Sequence, residues 1–411
     1  MDTMSRRRRS PADRLQIVVL GYLVRGPFGG GAWHHLQYVL GLHLLGHDVA
    51  FIEDSDDYES CYDPDLGAMT TDPSYGLRFA QDALGRLGFG ERWAYHDAHT
   101  CRWHGPLGDR AVDWCRQADM VLNVSGVNPL RPWLDSVPAR VLVDTDPGFT
   151  QLRHLADPAA RERAASHTAF ATFAENYGQP ECLVPSDGFP WQPTRQPVVL
   201  EAWPLTPHPM GSHMTTVMAW ESYPDLEHAG RRLGTKSASF APYMSLPSES
   251  PVALELAVAG PAAPRAELAR HGWLIADPAV VAVDPWTYRQ YLQASLGEFS
   301  VAKHGYVTTN SGWFSERSAA YLASGRAVVT QETGFSRTLP TGSGLLAFRD
   351  RDESLAALTE VAARPEHHGR AARDLAAAHF AAEVVLSELL ATVAASTSAA
   401  AAVEGSPGWP G

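Results

Sequence analysis

Lysine is almost missing from this sequence. Its 411 residues contain Lys236 and Lys303 and no other, so every remaining strong cation is an arginine. Acids outnumber lysine plus arginine by 46 to 33, leaving a net charge of −13. That balance argues against a nucleic-acid partner, because phosphate binding needs a basic face. Cysteine is scarce too. Cys61, Cys101, Cys115 and Cys182 form no CxxC and no zinc-like pairing with histidine, so they read as reduced thiols of a cytoplasmic protein. No apolar run approaches the roughly 20 residues of a membrane span, so no transmembrane segment is expected. The start, MDTMSRRRRSPADR, lacks the apolar stretch of a secretory signal. Residues 1–13 therefore read as a disordered leader, and the low-complexity 391–411 as a disordered tail.

Apolar residues make up 45% of the chain and charged ones 19%, the balance of a globular protein, and the length exceeds one ordinary core. LQIVVLGYL is nearly all apolar, as a parallel strand buried on both faces requires. Gly29, Gly30 and Gly31 follow as a loop, then apolar residues at helical spacing from Trp33 to Leu45, with Gly46 as the stop. VAFIED, MVLNVSG, RVLVDTDPG and HTAFATFAEN continue as strands. Seven prolines between Pro185 and Pro209 permit no regular element. Beyond them strands return in TTVMAW, LELAVAG, WLIADP, SVAKHGYVTT and RAVVTQ, with an amphipathic helix at TYRQYLQASL. The last helices run from about Asp352 to Leu390. This rhythm predicts two doubly wound α/β domains, 14–184 and 213–390, joined by a linker over 185–212. Ligands of such sheets sit at the carboxyl ends of the strands, so loops of both domains should face a central cleft.

Glycines after a first strand allow close approach of a ligand, and the following helix N-terminus favours anions. A dinucleotide fingerprint wants a small residue where His34 stands, with Glu53 or Asp54 on the ribose. The match is partial, and a nicotinamide oxidoreductase stays open as an alternative. The stretch from the glycines through the apolar helix to Gly46-His47-Asp48-Val49 resembles the N-terminal domain of GT-B-type glycosyltransferases. SGWFSERSAAYLASGRAVVTQETGFS resembles the nucleotide-binding segment of the group-1 type C-terminal domain. The resemblance implies two Rossmann-like domains around the cleft. It also implies transfer of a sugar from a nucleoside-diphosphate donor, held by the C-terminal domain, to a small-molecule or glycan acceptor. The nucleotide sugar is then a substrate, and neither cofactor nor metal is expected. A non-catalytic nucleotide- or sugar-binding protein on the same scaffold is the other reading.

Ser315 can cap a helix opened by Glu316, where the dipole favours a carboxylate. The resemblance implies that Glu316 holds the ribose hydroxyls, although the second glutamate of the family pattern is replaced by Ser324. A compact ammonium suits phosphate. The resemblance places Lys236, in RRLGTKSAS, at the donor diphosphate, with Lys303 beside it and Arg317 as helper. Ser311, Trp313, Thr333 and Gly334 join the donor side. On the acceptor side His34 is the expected base, titrating near neutral pH, ahead of its neighbour His35. Asp144 and Asp146 are the other candidates, and Asp146 is grouped with His34 as catalytic. The DTD that contains them is also how metal-dependent transferases hold manganese, but those enzymes lack the glycine loop. Trp33, Trp313 and Phe335 could stack on rings.

Overall fold

The computed structural model describes residues 14–206 and 211–404. The expected leader and residues 405–411 of the expected tail lie outside it.

Two sheets organise the chain. The first has eight strands in the spatial order Gln192–Pro193, Ala169–Thr172, Ala139–Asp144, Met120–Val124, Gln16–Leu20, Asp48–Asp54, Trp93–Asp97 and Arg102–His104. Only the last pair is antiparallel. The second has six parallel strands in the order Leu274–Ala276, Ala253–Ala259, His213–Ala219, Gly297–Ser300, Ala327–Gln331 and Leu345–Phe348. Runs such as Ile17-Val18-Val19 and Leu256-Ala257-Val258 are fully buried, as helices on both faces of a parallel sheet require. In each sheet the winding direction reverses beside the strand that comes first in the chain. The reversals lie between Gln16–Leu20 and Met120–Val124, and between His213–Ala219 and Gly297–Ser300. The crevice at such a reversal is where ligands bind in this class of sheet.

Several expected boundaries move. Gly29, Gly30 and Gly31 are the first turn of the helix Gly29–Leu44, not a loop ahead of it. The cause is packing: Gly29 N donates to the carbonyl of Ala282 at 2.8 Å, and a Cβ at Gly29 would lie 2.3 Å from Asp284 O. Gly29 thus admits backbone from the second half, while Gly30 lies against the Tyr288 ring and Gly31 against Tyr22. The SVAKHGYVTT stretch is a strand only as far as Ser300; Lys303 then caps the helix His304–Thr309. The expected amphipathic helix is Pro285–Ala294, held at its start by Asp284, whose Oδ1 accepts from Trp286 N and Thr287 N at 2.8 Å.

The C-terminal boundary also changes. The helix Ala382–Glu404 runs through the expected domain end at 390 and through 391–404 of the expected tail. Its alanines have high helix propensity, and Ala382, Leu386, Leu389 and Val393 are buried. Ala382 and Leu386 close over Gly41 of the first half, so the chain returns to the domain in which it started. The proline-rich linker is packed against that return: Val198 N donates to Phe380 O at 2.7 Å, and Ala382 N to Val198 O at 2.9 Å.

Candidate active site

After the first strand the backbone turns through 21–28, and three successive N–H groups point at one carboxylate. Glu53 Oε2 accepts from Leu23 N at 2.7 Å and Val24 N at 2.8 Å, and Oε1 from Arg25 N at 2.7 Å. A dinucleotide would need that row of donors for its pyrophosphate. Here the chain's own glutamate fills it, so the nicotinamide reading loses its phosphate site. Burial nonetheless pushes the Glu53 carboxyl up to about 7.

His34 lies one turn into the following helix and points across the winding reversal. Its Nε2 is 3.2 Å from Ser125 Oγ, which is 2.8 Å from Thr145 Oγ1. Ser125 holds a left-handed φ of 65°, a conformation costly for a residue with a Cβ. The buried Nδ1 of His34 has no partner, and burial lowers the imidazole's pKa, against a smaller opposite effect of Glu316. A neutral ring with a vacant nitrogen can take a proton. His35 is fully buried behind it and packed on Gly21 and Tyr22, out of reach of a substrate.

On the opposite side, Ser315 caps the helix Glu316–Ala323 as expected, its Oγ accepting from Arg317 N at 3.2 Å. Glu316 makes no hydrogen bond or ion pair to any described residue and lines a narrow cavity with Gly30, His34, Tyr288 and Arg317. Arg317 is not the free helper expected. Its guanidinium is spent on Glu298 Oε1 at 2.5 Å, Val217 O at 2.9 Å and Ser300 Oγ at 2.8 Å. Glu298 is fully buried and needs that counter-ion. Arg317 therefore ties two strand ends beneath the cavity.

Lys236 opens the short helix Lys236–Phe240 that follows the first strand of the second sheet. It is only 8% exposed and makes no hydrogen bond or ion pair to any described residue. Burial, and then the Arg317 guanidinium, push its ammonium well below the ordinary lysine range, while Glu298 and Glu316 pull it back. A buried cation without a partner is costly, so an anion brought beside it would be favoured.

Lys303 is placed differently from the expectation. Its Nζ is 3.0 Å from Asp146 Oδ1 and 2.6 Å from Tyr223 Oη. Tyr223 donates to Asp146 Oδ2 at 2.5 Å, and Tyr306 donates to Oδ1. Asp146, expected as a catalytic group, is thus saturated with donors from the second half and poorly suited to act as a base. Its neighbour Asp144 is buried and accepts from Thr172 Oγ1 at 2.7 Å, Gln151 Nε2 at 2.9 Å and the Asp146 N–H at 2.9 Å. The two carboxylates of the DTD serve separate networks, and no group of three metal-ligating side chains occurs among the described residues.

The remaining donor-side residues shape the wall. Trp313 stacks on Tyr306 with centroids 4.2 Å apart and donates from Nε1 to Thr145 O at 3.1 Å. Ser311 is buried, with its Oγ accepting from Trp313 N at 3.2 Å. Thr333 donates to Trp313 O at 2.5 Å, and its carbonyl accepts from Gly312 N at 2.8 Å. Ser311, Thr333 and Gly334 hold one loop against another and do not face the cavity of Glu316. The structure thus gathers His34 and Glu316 around one cavity, with Lys236 in electrostatic reach of Glu316. Gly30 lines the same cavity from a helix and not from a loop, and the saturated Asp146 is not among its lining residues. Tyr223, Tyr306 and Ser125 were missed; isolated tyrosines and a serine ending a strand carry no local signal.

No family model matches the chain, and no curated protein matches it. Solved structures do. An alpha-glucosyltransferase in complex with UDP and a 13-mer DNA containing a HMU base superposes with a TM-score of 0.58 at 10% identity, covering 93% of this chain and 99% of that one. HepE from Anabaena in complex with UDP-glucose gives 0.54 at 11% identity, covering 93% and 100%. At such identities the likeness is one of fold. The chain has the GT-B glycosyltransferase fold expected from its sequence.

Proposed function

We propose that the protein is a glycosyltransferase that moves a sugar from a nucleoside-diphosphate donor to a small or medium acceptor. The observation that carries this reading is the partnerless Lys236 ammonium, buried at the winding reversal of the second sheet and in electrostatic reach of the equally partnerless Glu316. A cation there fits a diphosphate, and a carboxylate at a helix start fits ribose hydroxyls. The UDP and UDP-glucose held by the solved structures of like fold support uridine as the first nucleotide to test.

In this reading the acceptor oxygen bonds to the anomeric carbon while the bond from that carbon to the diphosphate oxygen breaks. The electron pair leaves with the diphosphate, whose growing charge Lys236 offsets. The acceptor's proton passes to the vacant Nδ1 of neutral His34. The nucleotide supplies the leaving group, so the scheme uses no further cofactor and no metal. In this reading the acceptor is a small molecule or glycan and not a nucleic acid. Residues 53–72, around the carboxyl end of the second strand, hold eight acids and no lysine or arginine, a poor neighbour for a polyanion. Four unpaired cysteines fit the reducing cytoplasm.

The test is a thermal-shift screen of nucleoside diphosphates followed by turnover of the matching sugar donors. Binding stabilises the folded state by mass action. The expected result is a diphosphate-dependent rise in Tm that Lys236→Ala abolishes, with sugar transfer in wild type. Saturable binding without transfer or donor hydrolysis would leave a binding protein on this scaffold instead.

A further inference from the structure

Asp146 is the first-half acceptor of a hydrogen-bonded cluster whose donors, Lys303, Tyr223 and Tyr306, all come from the second half. Seen from the second half alone, an ammonium and two phenol hydroxyls converge on one point. Phe149, Tyr223 and Tyr306 present ring faces to the same ammonium, with centroids 5.3, 4.5 and 5.4 Å from Nζ. The rings hold the ammonium in place by cation–π contact. The Tyr223 hydroxyl accepts one ammonium hydrogen, and the ammonium and both hydroxyls each have a further hydrogen aimed at the same point, which makes an oxyanion socket. Asp146 plugs it from across the cleft.

We propose that this socket is a second anion site of the donor half, and that Asp146 is a stand-in for a phosphoryl oxygen which the donor's diphosphate displaces. This rests on the donor reading above and extends it to residues outside that reading. The two lysines sit on adjoining segments, with His304 N donating to Thr235 O at 3.3 Å, and the proposal puts Lys236 on one phosphoryl group of the diphosphate and the socket on the other. While Asp146 occupies the socket, its three hydrogen bonds tie the halves together. Displacement cuts those ties at the moment the donor arrives and frees a carboxylate on the acceptor side. Asp146 therefore acts as an internal competitor of the donor.

The competition has a signature opposite to that of an ordinary binding residue: removing the charge should tighten binding. Calorimetry of pyrophosphate and of UDP with wild type, Asp146→Asn, Asp146→Ser and Asp146→Asn/Lys303→Met reads it. Pyrophosphate and UDP are expected to bind both single variants about tenfold more tightly, the scale of one charge-assisted hydrogen bond. The double variant should lose the gain. Affinity equal to or weaker than wild type in both single variants overturns the socket. UDP bound equally well by wild type and by the variants leaves the donor reading standing and the socket fallen. A tenfold gain for pyrophosphate, with no nucleoside diphosphate preferred to it, leaves the socket standing and the donor reading fallen.

Discussion

The side-chain amide of Asn176 donates to the carbonyl of Gly334 at 3.1 Å, joining the first half to the glycine turn that follows the strand Ala327–Gln331. The same Nδ2 donates to Asn310 O at 3.1 Å, and Asn176 N donates to Ser311 O at 3.0 Å. One residue thus reads the backbone of two loops of the second half and joins them to the first.

Gly334 permits that approach. Its φ is +99°, and a Cβ there would lie 2.4 Å from both Asn176 Nδ2 and Asn310 Oδ1. Gly334→Ala combines backbone strain with a clash and should cost at least ~1 kcal/mol of stability. Thermal denaturation checks it; a Tm equal to wild type means the Asn176 contact is dispensable.

Glu316→Ala should weaken UDP binding by ~1.5–3 kcal/mol, the worth of hydrogen bonds to a charged group. The loss should extend to uridine, because the proposed partners are ribose hydroxyls, and should spare pyrophosphate. Calorimetry on the three ligands separates them. Unchanged uridine affinity in a folded variant removes Glu316 from the ribose.

Much of the scaffold was legible because its signals are local. Apolar strands, a serine ahead of Glu316 and the amphipathic spacing of TYRQYLQASL announce themselves within a few residues. Lys236 stood out in the sequence for another reason, its rarity in this composition. What stayed hidden depends on contacts between residues far apart in the chain. The triple glycine looked like a ligand loop, but its neighbours are Asp284 and Tyr288. Arg317 looked free, but Glu298 claims it. Asp146 looked like a base, but Lys303, 157 positions away, holds it. In each case a residue type suited to a ligand was used by the protein on itself.

Glu53 should leave a mark on the pH dependence of stability. Its folded pKa of about 7 stands above the ordinary value of 4.5. Between those values the folded chain holds more proton at Glu53 than the unfolded chain does. Stability from this group is therefore greatest below pH 4.5, declines as pH rises towards 7, and is flat above. Glu53→Gln should remove that decline. Denaturant unfolding of both proteins from pH 4.5 to 7.5 measures it. A wild-type-minus-variant difference independent of pH contradicts the buried, late-titrating carboxyl.

The most direct consequence concerns Lys236. With its ammonium pushed down by burial and by Arg317, it should recover its full charge when a diphosphate arrives beside it. Binding an anion raises the pKa of a neighbouring ammonium, so donor binding should take up a proton wherever the working pH lies between the free and bound values. Calorimetry of UDP in buffers of differing ionisation heat measures the uptake. Lys236→Ala should abolish it and weaken UDP strongly while leaving uridine little changed. Lys236→Arg should also abolish the uptake, because a guanidinium stays charged throughout, and should keep only part of the affinity, because its fork replaces a point charge. Wild-type UDP affinity in both variants, with proton uptake unaltered, would mean that the buried ammonium serves something other than the donor.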